Sequence, residues 1–300
     1  MILRTVISLT AASALAMSAS ADAGQYAGLE GFYSSDADGT RIAKTALDMD
    51  FRHTDSDHYL GLSLEQARFL PFGQRWIENH RVYVRFADGS ATWKWDGRIG
   101  SDGRTLLGDA SIHNVDSNRQ ECFVEREIVE TPLGLKNALY STYAGGAYDL
   151  PFNERNILTT VLGVQDFTGR NVRLQYRGNL IHILSPDWGL SAQLRVRAFH
   201  DTVPDEFDYF SPRWYAQAVP TLQVRRFVSG WRYALAAGYG AQRDADSSWH
   251  PARLLEASVT SPKDGHDWAV RAGFTYTNTP VTSGFTYDYK QLTLSVGRAF

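Results

Sequence analysis

The sequence predicts a closed, antiparallel, up-and-down β-barrel of about sixteen strands that spans a membrane. Three observations predict it. Alternation of period two recurs along the chain, and the last strand shows it plainly. There Leu292, Leu294 and Val296 fall on one face, and Gln291, Thr293, Ser295 and Gly297 on the other. Because nearly every segment repeats this pattern, little is left to form a separate core for the strands to pack on. A barrel with lipid outside and water inside resolves this, since closure pairs every backbone group. Finally, mean hydropathy is only −0.31 although aromatics make up 13% of the chain, as expected when apolar residues sit at every second position.

Residues 1–23 read as a secretory signal peptide. Arg4 gives a positive start, an apolar run follows, and Ala21-Asp22-Ala23 is a small-x-small cleavage site before Gly24. The run is shorter than the ~20 residues a spanning helix needs, and no later stretch is long and apolar enough to be one. Residues 24–300 then form one barrel domain. The net charge of −3 argues against a nucleic-acid partner. The only cysteine, Cys122, excludes an intrachain disulfide framework and reads as a small strand residue. No cofactor motif is present, and the eight histidines lack metal-ligand spacing.

Taken in order, the first strand covers residues 26–34, followed by a turn at Asp36-Ala37-Asp38-Gly39. Residues 41–52 carry Ala43, Leu47, Met49 and Phe51 opposite Lys44, Asp48, Asp50 and Arg52. Residues 59–69 set Leu60, Leu62 and Leu64 opposite Tyr59, Ser63 and Glu65. Residues 81–86 put Val82, Val84 and Phe86 outward and Arg81 and Arg85 inward, a span that needs flanking residues to cross a bilayer. Residues 92–99 place Trp93 and Trp95 out, with Lys94, Asp96 and Arg98 in. Alternation is poor over residues 105–115, and Phe123 and Arg126 break it within 119–129. Residues 138–150 and 157–167 pair around Pro151-Phe152-Asn153. Residues 171–184 turn Arg173, Gln175, Arg177 and Asn179 inward, and 190–199 turn Gln193, Arg195 and Arg197 inward. Residues 214–226, 231–242, 253–260, 268–277 and 291–300 complete the set. The chain ends on Phe300, which resembles the C-terminal recognition signal of outer-membrane barrels, with Arg298 where an apolar residue is usual. Near an interface an arginine can snorkel.

With periplasmic termini, the connections 185–189 and 228–230 are short inner turns. The connections 200–213, 243–251 and 278–284 are longer outer loops, the asymmetry expected of such barrels.

The expected lumen face is basic in the second half, with Arg173, Arg177, Arg195, Arg197, Arg225, Arg232 and Arg271, and Glu256 as the acidic exception. In the first half it carries Asp48, Asp50, Glu65, Asp96, Glu125 and Glu127. Opposed basic and acidic walls would set a transverse field, and arginines on a pore wall attract anions. The alternative is that the charges pair across neighbouring strands and brace the wall. Trp93, Trp95, Trp214, Trp231, Tyr233, Tyr239, Trp268 and Tyr276 fit membrane-interface girdles. Tyr59, Tyr83 and Tyr215 face inward as candidates for stacking sugars. Ser111 and His113 share a strand face and could form a hydrolase pair. Asp201, Asp205, Glu206 and Asp208 make one outer loop acidic, either as solvated carboxylates or as a cation bridge to lipopolysaccharide.

That loop also carries Tyr209-Phe210-Ser211-Pro212, with Tyr215 opening the next strand. With the turn Val228-Ser229-Gly230 and the strand after it, this resembles the barrel of bacterial exopolysaccharide secretion proteins. The cellulose-operon exporter is one comparison and the poly-N-acetylglucosamine export porin a looser one. The resemblance covers the chain from Cys122 onward. It implies an outer-membrane barrel of similar strand number that passes a sugar polymer. Those proteins carry a periplasmic helical-repeat scaffold that this chain lacks, so a separate scaffold protein is an expected partner. The leading expectation is a non-enzymatic conduit for an exopolysaccharide in the outer membrane of a Gram-negative bacterium, in contact with lipid and lipopolysaccharide. A general diffusion porin, a structural barrel and an outer-membrane lipid hydrolase stand beside it.

Overall fold

The structure, a computed structural model, describes residues 24–37, 39–262, 267–280 and 287–300. The signal-peptide reading lies outside these residues, as do Asp38, His266 and part of the 278–284 connection. Sixteen strands form: β1 (Tyr26–Asp36), β2 (Arg41–Asp55), β3 (His58–Leu70), β4 (Ile77–Gly89), β5 (Trp93–Ser101), β6 (Leu106–Asn114), β7 (Gln120–Ile128) and β8 (Tyr140–Asn153). The second half adds β9 (Asn156–Phe167), β10 (Val172–Ser185), β11 (Leu190–Asp201), β12 (Trp214–Val228), β13 (Trp231–Asp244), β14 (His250–Thr260), β15 (Trp268–Thr277) and β16 (Tyr289–Ala299). Each pairs antiparallel with its sequence neighbours, and β16 closes the barrel on β1 through Tyr26↔Ala299, Glu30↔Ser295 and Ser34↔Gln291.

Every expected strand is present, and the differences lie at the ends. The short 81–86 segment extends to Ile77–Gly89, long enough to span. The turn placed at Pro151-Phe152-Asn153 falls instead at residues 154–155, because β8 continues past Pro151 through a register shift. Ser229 and Gly230 form a two-residue turn with φ of 50° and 81°. That is the left-handed backbone a twisted hairpin favours, and glycine adopts it without strain.

The outward face is apolar. Leu29, Leu64, Val82, Leu162, Leu174, Leu222, Leu235 and Leu294 are all exposed, a surface that water would not tolerate and lipid requires. Trp93, Trp95, Trp188 and Trp268 gather toward the end of the termini, and Trp76, Tyr239 and Trp249 toward the other. Arg298 lies over the Trp268 and Phe300 rings at 5.4 Å from each centroid, with Asp267 3.9 Å away, so its charge reaches the rim.

Two outer loops fold into the mouth of the barrel. Residues 129–139 contain a short helix, α1 (Pro132–Asn137). Thr131 caps it by accepting from the Gly134 N–H at 3.1 Å, Pro132 opens it, and Ala138 ends it at φ 53°. Leu135 on this helix is buried with Ile42, Phe69, Tyr83 and Leu107, which come from β2, β3, β4 and β6. The poor alternation of residues 105–115 now has a cause: Leu107 faces the lumen because an apolar plug fills that side. Residues 202–213 form the second loop. Its Tyr209 stacks on Phe167 at 4.3 Å, and Phe210 meets Phe199 and Tyr215 edge-on.

Candidate functional site

The alternation that clothes the barrel in apolar side chains sends the polar ones inward, so the lumen is the candidate site. It is built in two unlike halves. From β2 to β7 the lumen is braced by ion pairs. Arg81 is fully buried and donates to Glu65 at 2.9 Å and to Glu127 at 3.0 Å. Lys44 on β2 reaches Glu127 at 3.5 Å on β7 and Glu130 at 2.7 Å beyond it, a bridge across the bore. Arg85 holds Asp48 at 2.5 Å and Asp50 at 3.4 Å, and Arg98 holds Asp109 at 2.8 Å. The expected acidic wall therefore does not exist as a wall. Asp48, Asp50, Glu65 and Glu127 are neutralised by cations interleaved on β2, β4 and β5, and Asp96 accepts from Ser111 at 3.0 Å.

From β9 to β16 the lining is lighter. Amide side chains link neighbouring strands: Gln175 donates to Gln165 at 3.0 Å, Asn179 to Gln193 at 3.2 Å, and Gln193 in turn to Gln223. Gln242 accepts from the Tyr215 hydroxyl at 2.6 Å and from Gln217 at 3.3 Å. Beyond them lies a concavity of about 310 Å³ lined by Ala234, Ala236, Ser258, Gly273, Thr275 and Thr293, with Arg225 and Arg232 at its edge. Small side chains here leave room that the braced half does not have.

All ten charged residues expected at the lumen sit at inward register positions, in different states. Arg173 is buried, pairs with Asp201 at 3.0 Å and donates to the Phe210 carbonyl at 2.5 Å, so it anchors the second loop. Arg195 reaches Glu256 at 2.8 Å, across the faces of β12 and β13. Arg177, Arg197, Arg225, Arg232 and Arg271 have no carboxylate partner within ion-pair distance among the described residues.

Three expectations are corrected. Tyr83 and Tyr215 do face inward, but both are fully buried under other side chains and present no stacking surface. Tyr59 keeps partial exposure and carries the Arg85 guanidinium over its ring at 4.6 Å. The Ser111–His113 pair is not assembled. Ser111 donates to Asp96, and the buried His113 Nδ1 has no hydrogen bond. Nor are most carboxylates of the outer loop solvated or open to a cation. Asp201 is committed to Arg173, and Glu206 accepts the Arg170 and Asn171 amides at 2.7 and 3.0 Å. Asp208 accepts the Thr131 hydroxyl at 2.6 Å and the Leu133 amide at 2.7 Å, tying the two inward loops together. Of that motif, Tyr209 and Ser211 are buried, and burial lifts the Tyr209 hydroxyl to about 12.

The alternation alone gave no sign of α1, Glu130, Lys44 as a cross-lumen bridge, or the amide ladder as a unit. The Thr131-Pro132 pair was the available signal for the helix.

No protein-family model matches the chain, and no curated relative does. Among solved structures it is similar to a bacterial polysaccharide outer membrane secretin, with TM-score 0.66 and 14% identity over 92% of this chain and 98% of that one. Acinetobacter baumannii OccAB3 is matched more loosely, with TM-score 0.44 and 10% identity over 94% of this chain and 100% of that one. Pseudomonas aeruginosa OccK5 is matched with TM-score 0.43 and 9% identity over 93% and 98%. At such identities the likeness concerns the fold, and the first of these carries it. The protein is a sixteen-stranded β-barrel of the bacterial outer membrane.

Proposed function

We propose that the barrel is an outer-membrane channel that conducts a polysaccharide strand, without a catalytic step. The observation that carries this reading is the division of the lumen. One half is filled by an ion-pair network and a helical plug. The other is lined by small residues and side-chain amides, which can exchange hydrogen bonds with sugar hydroxyls while a strand slides past. A conduit needs many weak contacts of this kind rather than one tight one. The similar fold of a barrel described as a polysaccharide secretin supports the same reading. A separate periplasmic scaffold protein is part of the proposal.

The test is single-channel recording of the refolded barrel in a planar bilayer, with linear oligosaccharides of increasing length. A conduit gives blocking events whose duration grows with chain length. The unpaired Arg225, Arg232 and Arg271 favour a second reading, a general porin for small anions. That reading gives anion selectivity and events independent of sugar length, an outcome that would overturn the polymer role.

A further inference from the structure

We infer that Arg177 and Arg197 form a subsite for a sugar carboxylate, so that the polymer served by this lumen carries uronic-acid-type groups. The inference rests on the channel reading above and narrows its substrate. Arg177 on β10 and Arg197 on β11 are directly paired in register, in an antiparallel ladder where opposed Cα atoms lie only about 4.5–5.5 Å apart. Like charges facing each other across a strand pair are destabilising. Every other arginine close enough to a carboxylate in this stretch uses it: Arg173 has Asp201 and Arg195 has Glu256. Among the described residues, Arg177 makes only a 3.3 Å hydrogen bond, donated to the Gln175 side-chain oxygen, and it stands exposed to the bore. Arg197 lies behind it with a buried Nε that has no hydrogen-bond partner. What holds the two in place is aromatic: Tyr143 lies 5.7 Å from Arg177 and Phe199 5.5 Å from Arg197. Ring faces accept cations while leaving the planar nitrogen edge free for an anion.

The surroundings give the subsite a direction. The arginine pair separates two concavities that share it. One, of about 300 Å³, lies toward the end of the termini and adds Thr159, Asn179, Arg195 and Gln217, with no carboxylate. The other, of about 220 Å³, lies toward the outer loops and contains Glu125 and Glu127. The first side therefore offers a carboxylate guanidinium and amide groups with no competing carboxylate in its lining, whereas the second already holds two carboxylates of its own, so an anionic sugar meets the pair from the first side. Asn179 and Gln217 offer amides to the remaining hydroxyls, and the volume of about 300 Å³ lies at the low end for small-molecule pockets, which suits about one sugar ring. A bidentate guanidinium–carboxylate contact would fix the orientation of the sugar, and the neighbouring amides, which a bare inorganic anion does not need, would separate a uronate from sulfate.

The test compares the refolded wild-type barrel with R177Q/R197Q and with R197Q alone. Linear tri-galacturonate, a neutral maltotriose and inorganic sulfate are added during single-channel recording. Binding to the detergent-refolded barrel is measured in parallel by calorimetry. Native-like heat-modifiable gel mobility shows that each variant has folded, and R197Q keeps the test alive if the double variant does not. The uronate is expected to block or bind at a concentration about tenfold or more below that for maltotriose, and the double variant to lose this difference. An unchanged uronate preference in the folded variants would overturn the subsite while leaving a conducting barrel intact. Sulfate competing as well as the uronate would also overturn it, since an anion filter would then suffice. Uronate binding that the variants abolish in a barrel that never conducts would support the subsite and remove the channel instead.

Discussion

Asp208 is where the two inward loops are joined, and its removal should open the mouth. Its carboxylate accepts the Thr131 hydroxyl at 2.6 Å and the Leu133 amide at 2.7 Å. A hydrogen bond to a charged group contributes about 1.5–3 kcal/mol, and the lower end applies at a partly exposed rim. Losing both bonds in D208A should cost the closed arrangement about 2–3 kcal/mol, a shift of about 30- to 150-fold toward an open loop. The helix is held independently by Leu135 in its apolar pocket and by Glu130 on Lys44 at 2.7 Å. The single variant should therefore open often rather than permanently. D208A combined with L135A should stay open, since burying a leucine side chain contributes about 1.5–3 kcal/mol more. Lys136 is exposed on the helix and reports the change as a tryptic cleavage site. In proteoliposomes, cleavage at Lys136 should accelerate in D208A, less in D208N, and most in the double variant, while conductance rises in the same order. Wild-type cleavage and conductance in D208A/L135A would show that the loops do not gate the lumen.

Three further outcomes follow from the same contacts. Replacing Arg81 by Met should destabilise the barrel by about 3–5 kcal/mol in urea unfolding, because Glu65 and Glu127 are left facing each other in the interior; adding E127Q should recover part of the loss. Partial burial pushes the Asp102 carboxyl up, but donation from the Tyr140 hydroxyl, the Arg104 and Thr105 amides and Asn79 outweighs it and holds the group below the usual carboxylate range. Its stabilising contribution is then complete above about pH 4, the ordinary aspartate value, and is lost as pH falls through the depressed one; protease susceptibility at Arg104 should rise only in that acidic window, and the rise should vanish in D102N. Gly28 and Gly297 sit opposite each other on β1 and β16, and a Cβ on Gly297 would lie 1.9 Å from the Tyr26 hydroxyl. G297V should displace the Tyr26 ring from its stack on His53 into the bore and lower the conductance of open channels.

The fold was legible because lipid leaves one solution. Leu292, Leu294 and Val296 must face lipid, so Thr293 and Ser295 must face the bore, and the same reasoning carries around the sheet. The lumen was legible as a set of inward positions, since Arg173, Arg177, Arg195 and Arg197 are fixed by parity. Partnership was not. Lys44 and Glu127 are five strands apart around the barrel and meet only because the bore is narrow there. Parity tells which residues face inward, not which of them reach across. The loop carboxylates failed for a similar reason. Asp208 and Glu206 look like solvated charges in a stretch of sequence, and only the fold brings backbone amides of other loops to them.

The places where alternation fails identify how the interior is used. Outside, a barrel has no freedom: a polar side chain facing lipid is costly at mid-depth, so the apolar face persists on every strand. Inside, polar residues are required only where water or a polar strand is met. Leu107, Phe69 and Ile42 break the rule together, on strands whose inner face the α1 loop packs against, and they do so where Leu135 takes the place of water. No comparable apolar cluster forms among the described residues of the lumen from β12 to β16; small and amide side chains persist there. A barrel meant only as a rigid body would gain by filling both sides. Filling one side and keeping the other polar sets small and amide side chains, with concavities between them, beside a braced wall. Arg177 and Arg197 line two of those concavities, where the proposed sugar carboxylate would meet them.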